Sequence, residues 1–202
     1  MKTLIKDPLS IIVIGVAGQG NVVTSSLICN ALLNEGFKVT FGQSYPAQQR
    51  GGSVINYIRV SKDYQCSPII PQGGADIIVG MEPVEALRML AQYGNPDVIT
   101  VVNPRPIISI EIAGQSGKYP NIDKLMDDIS SVSSKMISVN TTDEAQNLGN
   151  SIMSNVVLVG VLVGSGLLPL DRESMVPVIQ ERFPKVFDIN MKAFDRGMEL
   201  GA

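Results

Sequence analysis

Short apolar runs alternate with helix-like segments along most of the chain, and this alternation restricts its fold more than any other feature. Six runs rich in β-branched residues have the length of strands, at residues 11–14, 39–41, 54–60, 77–79, 98–102 and 136–139. Helical patterns lie between several of them, at residues 22–33, 83–93 and 122–132. Alternating strands and helices form crossover units, which build a parallel sheet with helices on both faces. The pattern therefore predicts an α/β fold with a three-layer, doubly wound, mostly parallel sheet.

Two segments depart from this parallel pattern. Residues 54–60 alternate with the two-residue period of a strand that has one partly solvated face. Residues 107–112 form a further apolar run directly after the turn-rich segment 103–106. We expect both segments to add antiparallel strands at a sheet edge. The complete prediction is a Rossmann-like sheet with some antiparallel edge strands.

The C-terminal third is predicted to be mainly helical, with an apolar stretch over 156–168 and an amphipathic closing helix over 188–200. Gly160 and Gly164 lie one helical turn apart, so a neighbouring backbone can approach them closely. That approach occurs either in the core of the subunit or at a subunit interface. Helical spacing assigns four residues of the closing helix to the core: Ile189, Met191, Phe194 and Met198.

The composition excludes several classes of function. The 202 residues, 45% of them hydrophobic, suffice for one core, and we expect a single domain over residues 1–202. A net charge of −3 argues against a nucleic-acid partner, and the absence of histidine excludes imidazole catalysis and histidine-bound metals. Cys29 and Cys66 are too far apart in sequence for a clustered thiolate site, so we interpret them as small apolar residues. No residue is predicted to be catalytic or to bind a metal.

Two observations bear on location. Residues 1–10 lack the apolar core of a signal peptide, and Pro8 interrupts them. The apolar stretch 156–168 is shorter than the roughly 20 residues of a membrane span and contains glycines. We therefore expect a cytoplasmic protein that does not bind membranes.

The strongest local motif is a glycine loop, Gly15-Val16-Ala17-Gly18-Gln19-Gly20, between the first strand and a helix that begins near Asn21. Such a loop lets backbone N–H groups approach a phosphate at a helix N-terminus. The loop only approximates the dinucleotide fingerprint, no acid follows the second strand, and no P-loop lysine is present, which disfavours NAD and nucleoside triphosphates. The candidate cofactor-binding residues are Gly15, Gly18, Gln19, Gly20 and Asn21. The alternative is a tight turn without a ligand.

A second loop contains Arg50, Gly51, Gly52 and Ser53 before the strand at 54–60. Arginine beside two glycines places a forked cation next to an unobstructed backbone, which suits a phosphate or a carboxylate. We expect this loop near the carboxyl end of the second strand, so that both loops face the crevice where open α/β sheets bind ligands. The alternative is an exposed arginine in a turn.

Glu82 and Glu85 flank Pro83 just after the strand at 77–79. Catalytic groups can lie at the carboxyl end of a strand. We favour a structural interpretation, in which Pro83 occupies the first helical turn and the acids stabilise that helix end.

Taken together, these motifs resemble the gamma-type subunit or domain of 2-oxoacid:acceptor (ferredoxin) oxidoreductases, and within that family the beta subunits of indolepyruvate oxidoreductase. The matching segments follow the family order at residues 15–20, 49–54, 67–70, 74–77, 82–88 and 190–194, with Gly197. Two departures stand out. The family commonly has two adjacent glycines where this chain has Ala17-Gly18, and the indolepyruvate branch has His-Gly-Met where this chain has Tyr45-Pro46-Ala47.

The resemblance implies a complex that oxidatively decarboxylates a 2-oxoacid to an acyl-CoA with thiamine diphosphate, magnesium and iron–sulfur clusters. The chain lacks the Gly-Asp-Gly motif of thiamine-diphosphate binding and clustered cysteines. The resemblance therefore places those cofactors on partner subunits: a thiamine-diphosphate-binding subunit and a ferredoxin-like domain. This chain is expected to be inactive alone, to join a hetero-oligomer or form a dimer when isolated, and to contribute part of a coenzyme A site at its two loops.

Two other hypotheses remain. The first is a purely structural subunit whose loops only contact another chain. The second is a stand-alone Rossmann-type nucleotide-binding protein, which the missing acid after the second strand disfavours.

Overall fold

A six-stranded sheet forms the centre of the molecule. The computed structural model describes residues 3–44, 51–115 and 118–202. Across the sheet the strands follow the order β2-β3-β1-β4-β5-β6. Their bounds are β1 (Leu9–Val16), β2 (Lys38–Ser44), β3 (Ser53–Ser61), β4 (Ile77–Gly80), β5 (Ile99–Val102) and β6 (Lys135–Ser138).

The strand pairing confirms a mostly parallel sheet with an antiparallel edge. The pairs β1–β4, β4–β5 and β5–β6 are parallel, whereas β3 is antiparallel to both β1 and β2. In the β1–β3 pair, Val16 lies opposite Ser53. The carboxyl end of β1 therefore meets the start of β3, and β2 rather than β3 is the outermost antiparallel strand.

Eight α-helices occur within the described residues, together with a 3₁₀ helix at Ser151–Met153. Their bounds are α1 (Asn21–Asn34), α2 (Pro83–Tyr93), α3 (Ile110–Gln115), α4 (Ile122–Ser131), α5 (Thr141–Asn147), α6 (Ser154–Gly164), α7 (Arg172–Arg182) and α8 (Phe187–Gly201). No helix in the described ranges has the length and apolarity needed to cross a membrane.

Helices cover both faces of the sheet, as predicted. All eight residues of β1 are buried, because alternate side chains point to opposite faces and both faces are covered. Ile11 and Val13 belong to a cluster with residues of α1, α6, α7 and α8. Ile12 and Ile14 belong to a second cluster with residues of α2 and α4. The result is the predicted three-layer arrangement.

The glycines of the C-terminal third allow α6 and α8 to pack backbone against backbone. A Cβ added at Gly160 would lie 2.8 Å from the Cα of Gly197, and one added at Gly164 would lie 2.7 Å from the Cα of Met198. The close approach predicted for Gly160 and Gly164 therefore occurs within this chain, in its core.

Two predictions about local structure are wrong. Residues 107–112 do not form an edge strand, because β6 pairs with β5 at that edge, and α3 begins at Ile110. Ile189 does not face the core: it is 38% exposed, whereas Met191 and Phe194 are buried as predicted. Position 189 lies on the side of α8 that faces a cavity.

Candidate functional site

The glycine loop has the strand-to-helix geometry that its sequence predicts. β1 ends at Val16, and α1 begins at Asn21, directly after Gly20. Gly18 and Gly20 have φ angles of 102° and 87°, a left-handed region that favours glycine. Gly20 is the N-cap of α1, and no side chain caps this helix end. The first N–H groups of α1 therefore remain available to an acceptor.

The side chains of Gln19 and Asn21 hold this loop in shape. Gln19 accepts the Val16 N–H at 2.7 Å through Oε1 and donates through Nε2 to the Met81 carbonyl at 2.7 Å. Asn21 donates through Nδ2 to the Val16 carbonyl at 3.0 Å. A Cβ at Gly15 would lie 2.7 Å from Asn21 Oδ1, so the absence of a side chain at Gly15 lets Asn21 pack closely against the backbone. These bonds fix the shape of the loop, and of these three residues only Gln19 also lines the cavity described below.

The two predicted loops meet at the end of β1. The Ala17 N–H donates to the Gly52 carbonyl at 2.9 Å, and the Ser53 hydroxyl accepts from Arg88 at 3.1 Å. Gly51 has a φ of 74°, which again favours glycine. Arg50 lies outside the described residues, so its predicted contact with an anion stays a prediction. Gly51, Gly52 and Ser53 do not line the cavity beside the glycine loop.

That cavity has a volume of about 890 Å³ and lies between the glycine loop and the C-terminal helices. Its polar wall includes Gly18, Gly20, Ser154 and Asn155. Its apolar wall is formed by Met81, Ile107, Ile152, Phe183, Val186 and Ile189. The exposed side chain of Arg182 lies at its rim. The arrangement suits a ligand with an anionic part and a larger apolar part.

Sequence reasoning missed the contribution of α6 to this cavity. Ser154 and Asn155 form the first turn of α6, which has no side-chain cap. The signal was present, because Asn150, Ser151, Ser154 and Asn155 are polar residues typical of helix starts directly before an apolar helix. Because these residues are far from the glycine loop in the sequence, local patterns do not indicate that they contribute to the same cavity. About 135 residues separate Gly20 from Asn155, and only the fold brings them together.

The acids around Pro83 stabilise the start of α2, as expected. Glu82 is the N-cap, its side chain accepts the Glu85 N–H at 2.9 Å, and Pro83 occupies the first helical position. Both carboxyl groups are completely buried. Glu82 also accepts hydrogen bonds from the Tyr119 hydroxyl and, at 3.5 Å, from the Ile107 N–H. Burial raises the pKa of Glu82, and these three hydrogen bonds oppose that rise.

The two cysteines lie on separate segments and differ in burial. Cys29 is buried, which raises the pKa of its thiol to about 12. Cys66 is partly exposed and lies on a different segment. The described part of the chain contains no group of three or more histidine, cysteine, aspartate or glutamate residues that could hold a metal ion. With only two cysteines, the chain does not supply the thiolates that an iron–sulfur cluster needs.

Comparison with known proteins agrees with this architecture. The family model "Pyruvate ferredoxin/flavodoxin oxidoreductase" matches residues 10–200. Indolepyruvate oxidoreductase subunit IorB of Archaeoglobus fulgidus is 36% identical over 190 residues, covering 94% of this chain and 93% of the relative. Its counterpart from Pyrococcus horikoshii is 35% identical over 192 residues, covering 94% of each chain.

Two solved structures share the fold at low sequence identity. The gamma subunit of keto/oxoacid ferredoxin oxidoreductase from Geobacter sulfurreducens has a TM-score of 0.68 at 19% identity, covering 96% of this chain and 98% of that one. The 2-oxoglutarate:ferredoxin oxidoreductase of Magnetococcus marinus, solved with 2-oxoglutarate, coenzyme A and succinyl-CoA, has a TM-score of 0.77 at 20% identity. This chain is 97% covered there but spans only 31% of that longer chain. From the family match and the length of the indolepyruvate oxidoreductase relatives, we conclude that this chain belongs to the pyruvate ferredoxin/flavodoxin oxidoreductase family, as a small subunit.

Proposed function

We propose that this small subunit supplies a binding surface, and no redox centre, to a 2-oxoacid:ferredoxin oxidoreductase complex in the cytoplasm that forms an acyl-CoA. One observation carries the proposal: the uncapped start of α1 and the glycine loop open onto a cavity of about 890 Å³. The cavity combines backbone donors with an apolar wall. We assign it to coenzyme A.

Coenzyme A fits this cavity in chemistry and in size. Its phosphates match the N–H groups around Gly18 and Gly20 and the cation of Arg182, while its remaining atoms match the apolar wall. When bound, coenzyme A supplies the thiol that accepts the acyl group. The residues of this chain orient the cofactor and exclude water from its anionic part. The Magnetococcus relative, whose structure contains coenzyme A, supports this choice.

The redox chemistry belongs elsewhere in the complex under this proposal. Two distant cysteines and the absence of a metal-binding group in the described residues support placing iron–sulfur clusters, thiamine diphosphate and magnesium on partner subunits. Purified alone, the chain is expected to show no 2-oxoacid oxidation, and activity is expected on mixing with its thiamine-diphosphate-binding partner. Full activity of the isolated chain would contradict the proposal.

Gly18→Ala tests the assignment of the cavity. Gly18 has a φ of 102°, and no atom lies within 4 Å of an added Cβ, so alanine strains the backbone without a steric clash. The strain reorients the neighbouring N–H groups, and we expect a KM for coenzyme A that is about tenfold higher, with little change in kcat.

Gly36→Ala is the matched control for this test. Gly36 also has a positive φ, 90°, with no atom within 4 Å of an added Cβ, but it follows the opposite end of α1. The two variants share the same kind of backbone strain, and only Gly18 lines the cavity. Equal KM values for coenzyme A in the two variants would show that the glycine loop is not part of the coenzyme A site.

A second candidate is a purely structural subunit whose cavity region only contacts a partner chain. Exposed apolar residues around the cavity favour it: Ile152 is 75% exposed and Val186 is 51% exposed. Arg50→Ala separates the candidates. If Arg50 binds phosphate, coenzyme A dependence weakens while the complex still assembles. If it is an interface residue, assembly fails.

A further inference from the structure

Arg88 lies on α2, away from the cavity, but its contacts lead towards the glycine loop. α2 packs on the face of the sheet opposite to α1 and α6, and Arg88 is not among the residues that line the cavity. Its Nη1 atom donates to the Ser53 hydroxyl at 3.1 Å and lies 3.4 Å from Oε2 of Glu85. The guanidinium therefore joins α2 to the first residue of β3.

Glu85 fixes the direction of the Arg88 side chain. The two residues are three positions apart on α2, so their side chains lie on the same side of the helix. The Glu85 carboxyl is completely buried, whereas the Arg88 side chain is 38% exposed. A buried carboxylate requires a partner, and a planar, forked guanidinium can contact this carboxylate and a hydroxyl at the same time. Arg88 is therefore oriented by a group in the interior of the molecule.

Ser53 is the residue at which two glycines end and β3 begins. Gly51 has a φ of 74°, Gly52 follows it, and glycine has the greatest backbone freedom of any residue. Just beyond the last residue pair of the β1–β3 ladder, the Gly52 carbonyl accepts the Ala17 N–H at 2.9 Å. The hydrogen bond from Arg88 to Ser53 restrains the side of this contact that the glycines leave flexible.

The bond to Ala17 fixes the start of the glycine loop. Gly18, the next residue, has a φ of 102° and lines the cavity. The peptide group is planar, so a hydrogen bond at the Ala17 N–H sets the direction in which the chain leaves β1. We propose that Arg88 is a positioning residue, which holds the glycine loop in its binding geometry through Ser53 and Gly52.

This inference rests on the proposed function and deepens it. It names a residue outside the cavity, on the helix that covers the opposite face of the sheet, on which the affinity for coenzyme A depends. The four links are the Glu85–Arg88 ion pair, the bond from Arg88 to Ser53, the peptide between Gly52 and Ser53, and the bond from Ala17 to Gly52. Each link can be tested separately from coenzyme A binding.

Amide hydrogen exchange in the full chain without a ligand tests the positioning directly. Ser53→Ala removes the hydroxyl and leaves the Glu85–Arg88 ion pair in place. We expect the Ala17 amide to exchange about fivefold faster, which corresponds to the loss of one hydrogen bond. Ser53→Thr keeps a hydroxyl and is expected to exchange as the wild type does. Arg88→Met removes the donor and is expected to accelerate the Ala17 amide as Ser53→Ala does.

The Met81 amide serves as an internal reference. It donates to the Ile14 carbonyl at 2.8 Å, on the β4 side of β1, whereas Ala17 contacts the β3 side. A loss of overall stability accelerates the exchange of both amides, and a loss of positioning accelerates only that of Ala17. Equal acceleration of both amides in Ser53→Ala, or no acceleration of the Ala17 amide, overturns the positioning role.

Arg172→Met is the matched control for Arg88→Met. Arg172 also pairs with a carboxylate, that of Asp195 at 2.7 Å, but it lies on α7 and does not line the cavity. This variant is expected to leave the exchange of the Ala17 amide unchanged. Acceleration equal to that of Arg88→Met would show that the effect is not specific to Arg88 and would overturn the positioning role.

Kinetics of the reconstituted complex connect the positioning to coenzyme A. Ser53→Ala and Arg88→Met are each expected to raise the KM for coenzyme A about fivefold with kcat unchanged. Because the two residues act through one contact, the double variant is expected to have the same KM as Arg88→Met alone. Additive effects would show that Ser53 and Arg88 act independently, and would overturn the positioning role.

Failure of the inference is distinguishable from failure of the proposed function. If Ser53→Ala accelerates only the Ala17 amide, and neither Ser53→Ala nor Gly18→Ala raises the KM for coenzyme A, the positioning of the loop is supported and the assignment of the cavity to coenzyme A is contradicted. If Gly18→Ala raises this KM and Ser53→Ala does not, the proposed function stands and the positioning role falls.

Discussion

Glu82 is completely buried and accepts three hydrogen bonds, and both features affect the pKa of its carboxyl group. The carboxyl group caps α2 and also binds the Tyr119 hydroxyl and the Ile107 N–H. Ile107 lines the cavity. A single side chain therefore connects the start of α2 to the segment between β5 and α4, which forms part of the cavity wall.

Stability should depend on pH through Glu82. Burial raises the pKa of Glu82, the Tyr119, Glu85 and Ile107 donors lower it, and the nearby Glu85 carboxyl adds a further rise. A raised carboxyl pKa means that the folded chain binds the proton more tightly than the unfolded chain. The stabilisation is complete below the pKa of an unfolded glutamate, about 4.3, and is lost as pH rises through the folded-state value.

Glu82→Gln tests this dependence, because glutamine cannot titrate. We expect the free energy of unfolding of the wild type to fall more steeply than that of the variant as pH rises above about 4.3, the value for an unfolded glutamate. The free energy of unfolding of the variant should also be lower by about 1 kcal/mol, because the helix cap is altered. Urea unfolding at several pH values measures both quantities. Parallel pH profiles would show that Glu82 does not titrate in this range.

The two cysteines should differ sharply in reactivity. Burial raises the pKa of the Cys29 thiol to about 12, so almost no thiolate exists at neutral pH, whereas Cys66 is partly exposed. A thiol reagent should label one cysteine in the folded protein and both in denaturant. Cys66→Ser should abolish labelling of the folded protein. Persistent labelling of that variant would show that the region around Cys29 opens readily.

Sequence predicts local residue roles better than remote ones. The pattern Glu82-Pro83 with Glu85 predicts a helix start because all its parts lie within one turn. Tyr119 is 37 positions from Glu82, and no local pattern signals their contact. Asn155 was missed as a site residue for the same physical reason. The side chains of Gln19 and Asn21 hydrogen-bond within and beside the loop, and a role for these residues in cofactor binding stays a prediction.

At the scale of elements, the packing of α6 against α8 depends on glycines. A Cβ at Gly197 would lie 2.9 Å from the Cα of Gly160, in backbone that cannot move independently. Gly197→Ala should therefore separate the helices and lower the free energy of unfolding by about 1–3 kcal/mol or more.

Gly114→Ala is the control for this substitution. Gly114 lies in α3, and an added Cβ would meet no atom within 4 Å. Alanine is the better helix former by about 0.5–1 kcal/mol, so this variant should be as stable as the wild type or more so. Chemical denaturation of both variants makes the comparison. A Gly197→Ala variant as stable as the wild type would mean that the helices separate at little cost.

Sequence periodicity predicted helices and strands correctly where a residue that ends the element, such as glycine, followed the pattern. The helix predicted at 83–93 has the bounds of α2, and the six strands predicted from β-branched runs all exist. The run at 107–112 failed because apolar residues alone do not specify a strand when the edge position is occupied by another strand. The Ile107 N–H instead donates to the Glu82 side chain.

At the scale of the whole molecule, burial decreases from the centre of the sheet towards its edges. Every residue of β1 is buried, and β1 is hydrogen-bonded to β3 and β4 on its two sides. The edge strand β6 is only partly buried. Amide hydrogen exchange should therefore be slowest in β1, where it requires global unfolding, and faster in β6. Faster exchange in β1 than in β6 would contradict this order of stability.

The backbone contact between α6 and α8 also bears on the thermodynamics of ligand capture. Because Gly160 and Gly164 hold α6 against α8, the position of α6 beside the cavity is set by the packing of the chain itself. The conformational entropy of positioning α6 is lost during folding, before any encounter with a ligand. A preorganised site keeps more of its interaction energy as affinity. Under the proposed function, glycines buried more than one helical turn from the cavity thus contribute to the affinity for coenzyme A.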